Sequence, residues 1–310
     1  MPRSRIVITE FMDARAVAQL QARHDVLYDP ALADDASRLL AEAARADALV
    51  VRNRTQVRGE LLAAMTRCKV VGRLGVGLDN IDVAACAARS MQVIPATGAN
   101  ALSVAEFVIT SAMMLLRGAF ASTADVADGK WPRNALSNGR ETAGKTLGVI
   151  GFGSIGQLTA RLAHGLGMHV IAFDAMLEDD AAVFLETGVK CAGLQEVIIE
   201  SDVVTLHVPL ADGTRGLFDA ARIASMKPGA ILINTSRGHI VDLEAVANAL
   251  RLGHLGGAAI DVFDTEPLAA SAQLRNCPNL LLTPHISGVS LESNERVSAL
   301  IAEKVLESLR

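Results

Sequence analysis

The chain has 310 residues, which is long for one small domain and suits two domains of moderate size. A hydrophobic fraction of 51% is sufficient for large cores and excludes a disordered chain. A net charge of -5 and an aromatic content of only 3% argue against nucleic-acid binding, which ordinarily uses a basic face or stacking rings.

The cysteines are scattered and form no CxxC pair, so the sequence predicts neither a metal site nor a disulfide framework. They are Cys68, Cys86, Cys191 and Cys277. We interpret them as reduced thiols of a cytoplasmic protein.

Glu10 and Asp13 follow a short N-terminal apolar run, which argues against a signal peptide. Glu106 interrupts the most apolar stretch, Ala101 to Leu116, which we predict to be a buried helix and not a membrane span.

In the first part of the chain, short β-branched runs alternate with Ala- and Leu-rich segments of helical spacing, for example 14–23 and 37–46. The predicted strands are Ile6 to Thr9, Val26 to Tyr28, Ala48 to Arg52, Val70 to Leu74 and Gln92 to Pro95. Strands separated by helices predict a parallel sheet. A single long helix, Ala101 to Asp128, is predicted to follow.

The alternation then restarts, which predicts a second parallel sheet. Its predicted strands are Thr146 to Ile150, Met168 to Phe173, Val203 to Leu206, Ala230 to Asn234, Gly257 to Val262 and Leu280 to Leu282. Helices are predicted over 155–166 and, at the end of the chain, over 291–309.

A glycine-rich turn, GFGSIG, lies between the first strand and the first helix of this second series. In a G-x-G-x-x-G turn the first glycine allows the tight turn, the second admits a pyrophosphate, and the third lets helix pack on strand. The free N–H groups at the helix start favour phosphate binding. The candidate cofactor contacts are Gly151, Gly153, Ser154, Ile155 and Gly156.

Asp174 ends the next predicted strand, where an acid can accept hydrogen bonds from the adenosine ribose and repel a 2′-phosphate. The order of strand, turn, helix, strand and acid therefore predicts NAD as the cofactor and disfavours NADP. The alternative is that Asp174 only caps a following helix.

Three chemically complementary residues follow three predicted strands: Arg237 in NTSRGHIVD, Glu266 in DVFDTEP and His285 in TPHISG. Taken singly, each is more simply explained as a surface salt bridge, a solvated acid or a surface histidine. Together they can bind a substrate carboxylate, transfer a proton and orient the imidazole, which predicts hydride-transfer chemistry at a carbonyl carbon. No metal is predicted.

These motifs, with GVGLDNID and GKTLGVIGFGSIG, closely resemble the D-isomer-specific 2-hydroxyacid dehydrogenases along essentially the whole chain. The resemblance implies that Arg237 binds the substrate carboxylate and carbonyl, and that Glu266 pairs with His285. It implies that backbone N–H groups of Val76 and Gly77 bind the carboxylate. It also implies further cofactor contacts at His207, Pro209, Thr235 and Asp261, with Asp261 holding the nicotinamide carboxamide and His207 not catalytic.

The same resemblance implies an α/β architecture of two doubly wound parallel-sheet domains. A Rossmann-type cofactor domain, residues 100–287, is inserted into a flavodoxin-like substrate domain formed by residues 1–99 and 288–310. The implied assembly is a homodimer that acts on a small-molecule substrate.

The substrate prediction rests on the basic segment VRNRT. Arg52 matches the family position that contacts a distal anionic group, whereas Arg54 is equally well explained as part of a solvated basic loop. Arg133 lies where related enzymes can reach a neighbouring subunit's site. If Arg52 and Arg237 face the same pocket, the substrate has a second anion, as 3-phosphoglycerate and 3-sulfolactate do. The segment after His285, ISGVSLESNER, departs from the phosphoglycerate dehydrogenase pattern, which argues against a role in serine biosynthesis.

Three alternatives remain open from the residues. A hydroxypyruvate or glyoxylate reductase would use the same three residues. Formate dehydrogenases resemble the chain but have an amide where Glu266 stands, so Glu266 counts against this alternative. A non-catalytic NAD-sensing protein, similar to the C-terminal-binding corepressors, can retain all three residues.

Overall fold

The computed structural model describes residues 3–310, apart from the side chain of Ala121. All strands pair in parallel. The strands are β1 (Arg5–Ile8), β2 (Asp25–Tyr28), β3 (Ala48–Val51), β4 (Val70–Arg73), β5 (Gln92–Pro95), β6 (Thr146–Ile150), β7 (His169–Phe173), β8 (Lys190–Cys191), β9 (Val203–Leu206), β10 (Ala230–Asn234), β11 (Leu255–Ile260) and β12 (Leu280–Leu282).

Twelve α-helices connect these strands in the described residues. They are α1 (Ala14–Gln21), α2 (Ala36–Ala43), α3 (Gly59–Ala64), α4 (Val83–Ala88), α5 (Ala101–Arg117), α6 (Thr123–Ala127), α7 (Ser154–Gly165), α8 (Ala182–Thr187), α9 (Leu194–Glu200), α10 (Ala220–Ser225), α11 (Leu243–Arg251) and α12 (Leu291–Ser308). Short 3-10 helices occur at Leu32–Asp34, Ala119–Ser122 and Gly238–Ile240. No helix in this described part of the chain has both the length and the apolar character needed to span a membrane.

The chain divides into two compact units, one running up to Asn100 and resumed by Val289–Arg310, the other spanning Ala101–Gly288. The first unit has a five-stranded sheet in the order β2-β1-β3-β4-β5. Helix α12 packs against this sheet. A Cβ on Gly72 of β4 would lie only 2.7 Å from Ile301 Cγ2, so the glycine allows the helix to approach the sheet closely.

The second unit has a seven-stranded sheet in the order β12-β11-β10-β9-β6-β7-β8. Strand β10 is buried along its whole length, as expected for a parallel sheet covered on both faces. The chain winds outward from β6 in one direction and then from β9 in the other, so the strand order reverses between these two strands. In the first unit the same reversal lies between β1 and β3. Ligands of doubly wound sheets bind beyond the carboxyl ends of the strands at such reversals.

The predicted α/β class with two doubly wound parallel sheets is confirmed. The prediction of one helix from Ala101 to Asp128 is wrong. Helix α5 ends at Arg117 because Gly118 adopts a left-handed conformation, with φ of 67°, and a 3-10 turn separates it from α6.

Candidate active site

The glycine turn after β6 has the shape that a dinucleotide requires. A Cβ on Gly151 would lie 2.5 Å from the carbonyl oxygen of His207, and one on Gly156 would overlap the carbonyl oxygen of Gly151. A Cβ on Gly153 would meet no atom within 4 Å, so the space in front of the α7 N-terminus is open there. The turn therefore packs tightly where helix meets strand and leaves room where a pyrophosphate would sit. Ser154 and Ile155 form the first turn of α7 beside that space.

Asp174 fixes the conformation of this turn. Its Oδ2 accepts a hydrogen bond of 2.7 Å from the backbone N–H of Phe152, and its Oδ1 accepts one of 2.9 Å from the N–H of Met176. No helix starts directly after Asp174, since α8 begins only at Ala182, so the helix-cap alternative is wrong. A carboxylate has further lone pairs, so these two bonds leave capacity for ribose hydroxyls.

Strands β9 and β10 contribute two polar groups beside the turn. The hydroxyl oxygen of Thr235 is buried and has no hydrogen-bond partner within the described residues, so a bound group would satisfy it. The His207 Nε2 lies 3.1 Å from the hydroxyl oxygen of Thr205. Burial lowers the pKa of His207 to about 3, so its ring is neutral near pH 7. Pro209 is exposed two residues further on.

Glu266 and His285 form a directly bonded pair. His285 Nδ1 lies 2.7 Å from Glu266 Oε2, and Glu266 Oε1 accepts a 3.0 Å hydrogen bond from the backbone N–H of Phe263. Because an ionised carboxylate only accepts, Nδ1 carries the proton of this bond and Nε2 is left for another partner. Both side chains are about a third exposed, at 38% and 36%, so a small molecule can reach them.

The loop that carries His285 is fixed by Asp261. His285 has a φ of 56°, which an L-residue adopts at some cost in energy. The carboxylate of Asp261 is fully buried and accepts hydrogen bonds from Thr283 Oγ1 at 2.6 Å, from the N–H of Ile286 at 2.9 Å and from the N–H of Ser287 at 2.8 Å. The unusual backbone of His285 is therefore held from both sides by one buried acid.

Arg237 follows β10, the neighbour of the strand that precedes Glu266. Its Nη1 donates a 2.5 Å hydrogen bond to the carbonyl oxygen of Ser236, and the Arg237 carbonyl oxygen accepts a 2.9 Å hydrogen bond from Asn234 Nδ2. A Cβ on the next residue, Gly238, would overlap the carbonyl carbon of Phe263, so the Arg237 segment packs directly against the loop that carries Glu266. Strands β10, β11 and β12 are adjacent, so the three predicted catalytic residues follow three neighbouring strands.

In the first unit, a buried acid organises the VRNRT loop. Glu10 is 4% exposed, and its two carboxylate oxygens accept hydrogen bonds from the backbone N–H groups of the four residues that follow β3, at 2.9 to 3.2 Å. Those residues are Arg52, Asn53, Arg54 and Thr55. Burial by itself would raise the pKa of Glu10, but these hydrogen bonds outweigh that effect and lower it. The loop is thus fixed where the strand order reverses between β1 and β3.

The two arginines of this loop have different surroundings. The Arg54 guanidinium is exposed and bonded to Asp34 Oδ1 at 2.6 Å and to the Pro30 carbonyl oxygen at 3.1 Å, which agrees with the solvated-loop alternative. Arg52 is half-buried, and its Nη2 donates a 2.9 Å hydrogen bond to Asn294 Oδ1. Burial lowers the pKa of Arg52, while the nearby Glu10 raises it.

Three more predicted residues lie on exposed segments. Val76 is 37% exposed, and within the described residues the N–H groups of Val76 and Gly77 donate no hydrogen bond, so they can bind an anion. Arg133 is exposed between α6 and β6. Within residues 3–310, no three His, Cys, Asp or Glu side chains are grouped so that they could hold a metal ion.

Sequence reasoning did not find Glu10, Thr283 and Asn294, and it did not assign Asp261 to the histidine loop. Glu10 had a sequence signal, since it directly follows the end of an apolar strand. Asn294 had none, because it is 242 positions away from Arg52.

Comparisons with known proteins identify the family of this chain. Residues 109–287 match the family model described as D-isomer specific 2-hydroxyacid dehydrogenase, NAD binding domain. The chain is 50% identical to (S)-sulfolactate dehydrogenase of Chromohalobacter salexigens over 99% of this chain and 98% of that protein. It is 38% identical to D-3-phosphoglycerate dehydrogenase of Mycobacterium bovis over 87% of this chain, but spans only 51% of that longer protein. The crystal structure of the TT0316 protein from Thermus thermophilus superposes with a TM-score of 0.88 and 31% identity, covering 98% of this chain and 96% of that one.

Proposed function

This chain belongs to the D-isomer-specific 2-hydroxyacid dehydrogenases, and we propose that it oxidises and reduces substrates with a second anionic group, of the 3-sulfolactate or 3-phosphoglycerate type. As a member of that family it is an NAD-dependent oxidoreductase that interconverts D-configured 2-hydroxy acids and 2-keto acids. The observation that supports the second anion is the position of Arg52. Its half-buried guanidinium lies beyond β3, where the strand order reverses, and has no carboxylate within ion-pair distance in the described residues.

The proposed proton transfer uses His285 and Glu266. NAD, when bound, accepts a hydride from the substrate carbon or returns one to it. The open space at Gly153, the acceptor oxygens of Asp174 and the unpaired hydroxyl of Thr235 fit such a dinucleotide. During oxidation, His285 Nε2 takes the proton of the substrate hydroxyl, and Glu266 stabilises the resulting imidazolium through Nδ1. During reduction, the protonated ring returns that proton to the carbonyl oxygen.

Other residues bind and orient the reactants in this proposal. The guanidinium of Arg237 binds the substrate carboxylate, since a planar fork of donors matches a carboxylate. The N–H groups of Val76 and Gly77 bind the same carboxylate. The remaining cofactor contacts are the glycine-turn residues with His207, Pro209 and Asp261. Asp261 Oδ2 accepts only one of the three bonds to this carboxylate, which leaves a lone pair for the carboxamide.

The compartment and assembly are also proposals. The four cysteines are free thiols, which supports a cytoplasmic protein. The segment after α5 exposes Phe120 by 60% and Trp131 by 77%, which supports coverage by a second copy in a homodimer, with Arg133 reaching the partner. The proposed domains remain residues 1–99 with 288–310 and residues 100–287.

Substrate choice is tested by measuring NADH oxidation with sulfopyruvate, phosphohydroxypyruvate, hydroxypyruvate, pyruvate and glyoxylate. We expect the highest kcat/KM for sulfopyruvate, the keto acid of the substrate that names the 50% identical relative. A highest value for hydroxypyruvate or glyoxylate would contradict the second-anion proposal and favour the reductase alternative.

Asp174 is expected to set the preference for NAD over NADP. Because its carboxylate also binds the N–H of Phe152, Asp174→Asn is a better variant than Asp174→Ala: it keeps one acceptor oxygen and removes the charge. We expect the NADPH/NADH ratio of kcat/KM to rise about tenfold, which corresponds to about 1.4 kcal/mol. Asp179→Asn, on an exposed residue of the following loop, is the control. A wild-type enzyme that prefers NADPH would contradict this role.

The Glu266–His285 bond predicts a pH effect. Glu266→Gln keeps an oxygen that can accept from Nδ1 but removes the charge that favours the imidazolium. Reduction needs the protonated ring as the acid, so we expect the alkaline limit of keto-acid reduction to move to lower pH. At low pH kcat should remain within about tenfold of the wild-type value, because the amide oxygen can still accept from Nδ1. The amide nitrogen that replaces the other oxygen can no longer accept from the N–H of Phe263. A pH profile of kcat that coincides with that of the wild type would show that the pair does not control the proton.

A further inference from the structure

Arg52 belongs to a cluster that sequence reasoning did not foresee, made of Arg52, Asn294 and Phe11. Arg52 Nη2 donates to Asn294 Oδ1 at 2.9 Å, and the guanidinium carbon lies 5.9 Å from the centroid of the Phe11 ring. That distance is within the range of a cation–π contact. All three residues lie in the first unit: Phe11 follows β1, Arg52 follows β3, and Asn294 is in the first turn of α12.

The orientation of the Asn294 amide follows from hydrogen-bond chemistry. A guanidinium carries only donors, so the amide oxygen must be the atom that faces it. The amide nitrogen is then turned away from the guanidinium, and its two N–H groups make no hydrogen bond to the described residues. Asn294 is only half-buried, so these donors can reach a bound molecule.

The surrounding contacts hold the guanidinium in one place. Glu10 binds the backbone N–H of Arg52, Asn294 binds its Nη2, and the Phe11 ring lies against the guanidinium. An arginine side chain otherwise loses considerable rotamer entropy when it binds a ligand, so a preformed orientation favours binding. The neutral Asn294 provides this orientation without neutralising the charge, whereas a carboxylate at that position would compete with an anionic ligand.

We propose that Asn294 is a specificity-determining residue: it orients the Arg52 guanidinium and adds its own amide N–H to the binding of a tetrahedral oxyanion, a sulfonate or a phosphate, at the distal end of the substrate. The inference rests on the proposed function, since it concerns the second anion. Asn294 is a positioning and binding residue, and it takes no part in the proton transfer.

The test compares sulfopyruvate with glyoxylate, which lacks a second anion. Asn294→Ala is expected to lower kcat/KM for sulfopyruvate about tenfold, the lower end of the range for a hydrogen bond to a charged group, and to change the value for glyoxylate by less than about twofold. Asn294→Asp still accepts from Arg52 but loses the amide donors and adds a negative charge, so a larger loss, of roughly 10–100-fold, is expected for sulfopyruvate alone. Glu295→Gln, at the exposed neighbouring position, is the control and should match the wild type.

A double-mutant cycle separates the possible outcomes. Because Asn294 acts largely through Arg52, adding Asn294→Ala to Arg52→Ala should cost less than about threefold more for sulfopyruvate. If Asn294→Ala lowers kcat/KM equally for sulfopyruvate and glyoxylate, or does not lower it at all, the proposed role of Asn294 is wrong. If Arg52→Ala is selective for sulfopyruvate and Asn294→Ala is not, only this inference fails. If Arg52→Ala is itself unselective, the second-anion proposal fails and this inference fails with it.

Discussion

Replacing His285 with alanine is expected to lower kcat by roughly 10²–10⁴-fold, the usual range for the loss of a general acid–base group. An imidazole that is oriented by a carboxylate is suited to general acid–base catalysis, and His285 is the imidazole among the three proposed catalytic residues. Its Nδ1 is occupied by Glu266, so Nε2 is the ring atom that can move the substrate proton. Within the described residues, Asp174 bonds to Phe152 and Met176 and no hydrogen bond joins it or the glycine turn to His285, so NADH binding should survive the substitution.

Two further variants make this result interpretable. His285 has a φ of 56°, a conformation that asparagine tolerates better than alanine, so His285→Asn removes the acid–base group with less strain on the loop. His164→Ala, at an exposed position in the last turn of α7, is the matched control and should retain wild-type kcat. A kcat within threefold of the wild type for both His285 variants would contradict the proposed acid–base role.

The second large effect is expected from Arg52→Ala. A hydrogen bond to a charged group contributes about 1.5–3 kcal/mol, so kcat/KM for sulfopyruvate or phosphohydroxypyruvate should fall roughly 10–100-fold. Glyoxylate and pyruvate, which have no second anion, should be nearly unaffected. The measurement is the full kcat/KM panel for the variant beside the wild type.

Arg54→Ala is the matched control for this prediction. It removes an arginine from the same Glu10-bound loop, but that guanidinium is bonded to Asp34 and is 52% exposed. We expect Arg54→Ala to change kcat/KM for each substrate by less than about twofold, because exposed ion pairs contribute little free energy. If Arg52→Ala lowers kcat/KM equally for all substrates, or if Arg54→Ala shows the same selective loss, Arg52 only supports the loop.

The parts of the fold that the sequence predicts are those with a local signal. The alternation of β-branched runs and helical segments places every strand except β8 to within about two residues, because these strands are short, mainly apolar runs. Strand β8, Lys190–Cys191, was not predicted, since two residues are too few to show a periodic pattern. The break after Arg117 also had a local signal, since Gly118 can adopt the left-handed conformation that ends a helix. The apolar periodicity that continues past the glycine concealed it.

The contacts that orient the site residues could not be predicted, because they join distant parts of the chain. Asp261 reaches Ile286 and Ser287, and Asn294 reaches Arg52, only after the strands and α12 have packed. Motif resemblance assigns a role to Asp261 toward the cofactor, yet the contacts in the structure are with the loop of His285. Glu10 shows the same limit: its position after an apolar strand marks it as unusual, but its four N–H partners belong to another strand end.

The most direct test of the dehydrogenase chemistry is the product formed from sulfopyruvate and NADH stereospecifically deuterated at the transferable position of C4. Direct hydride transfer to a D-configured product predicts deuterium at C2 of sulfolactate and a single enantiomer. That enantiomer is named S, because the sulfur-bearing carbon outranks the carboxyl carbon in the naming rules. We expect only deuterated (S)-sulfolactate from the wild-type enzyme. A racemic or R product, or a product without deuterium at C2, would contradict the proposed reaction.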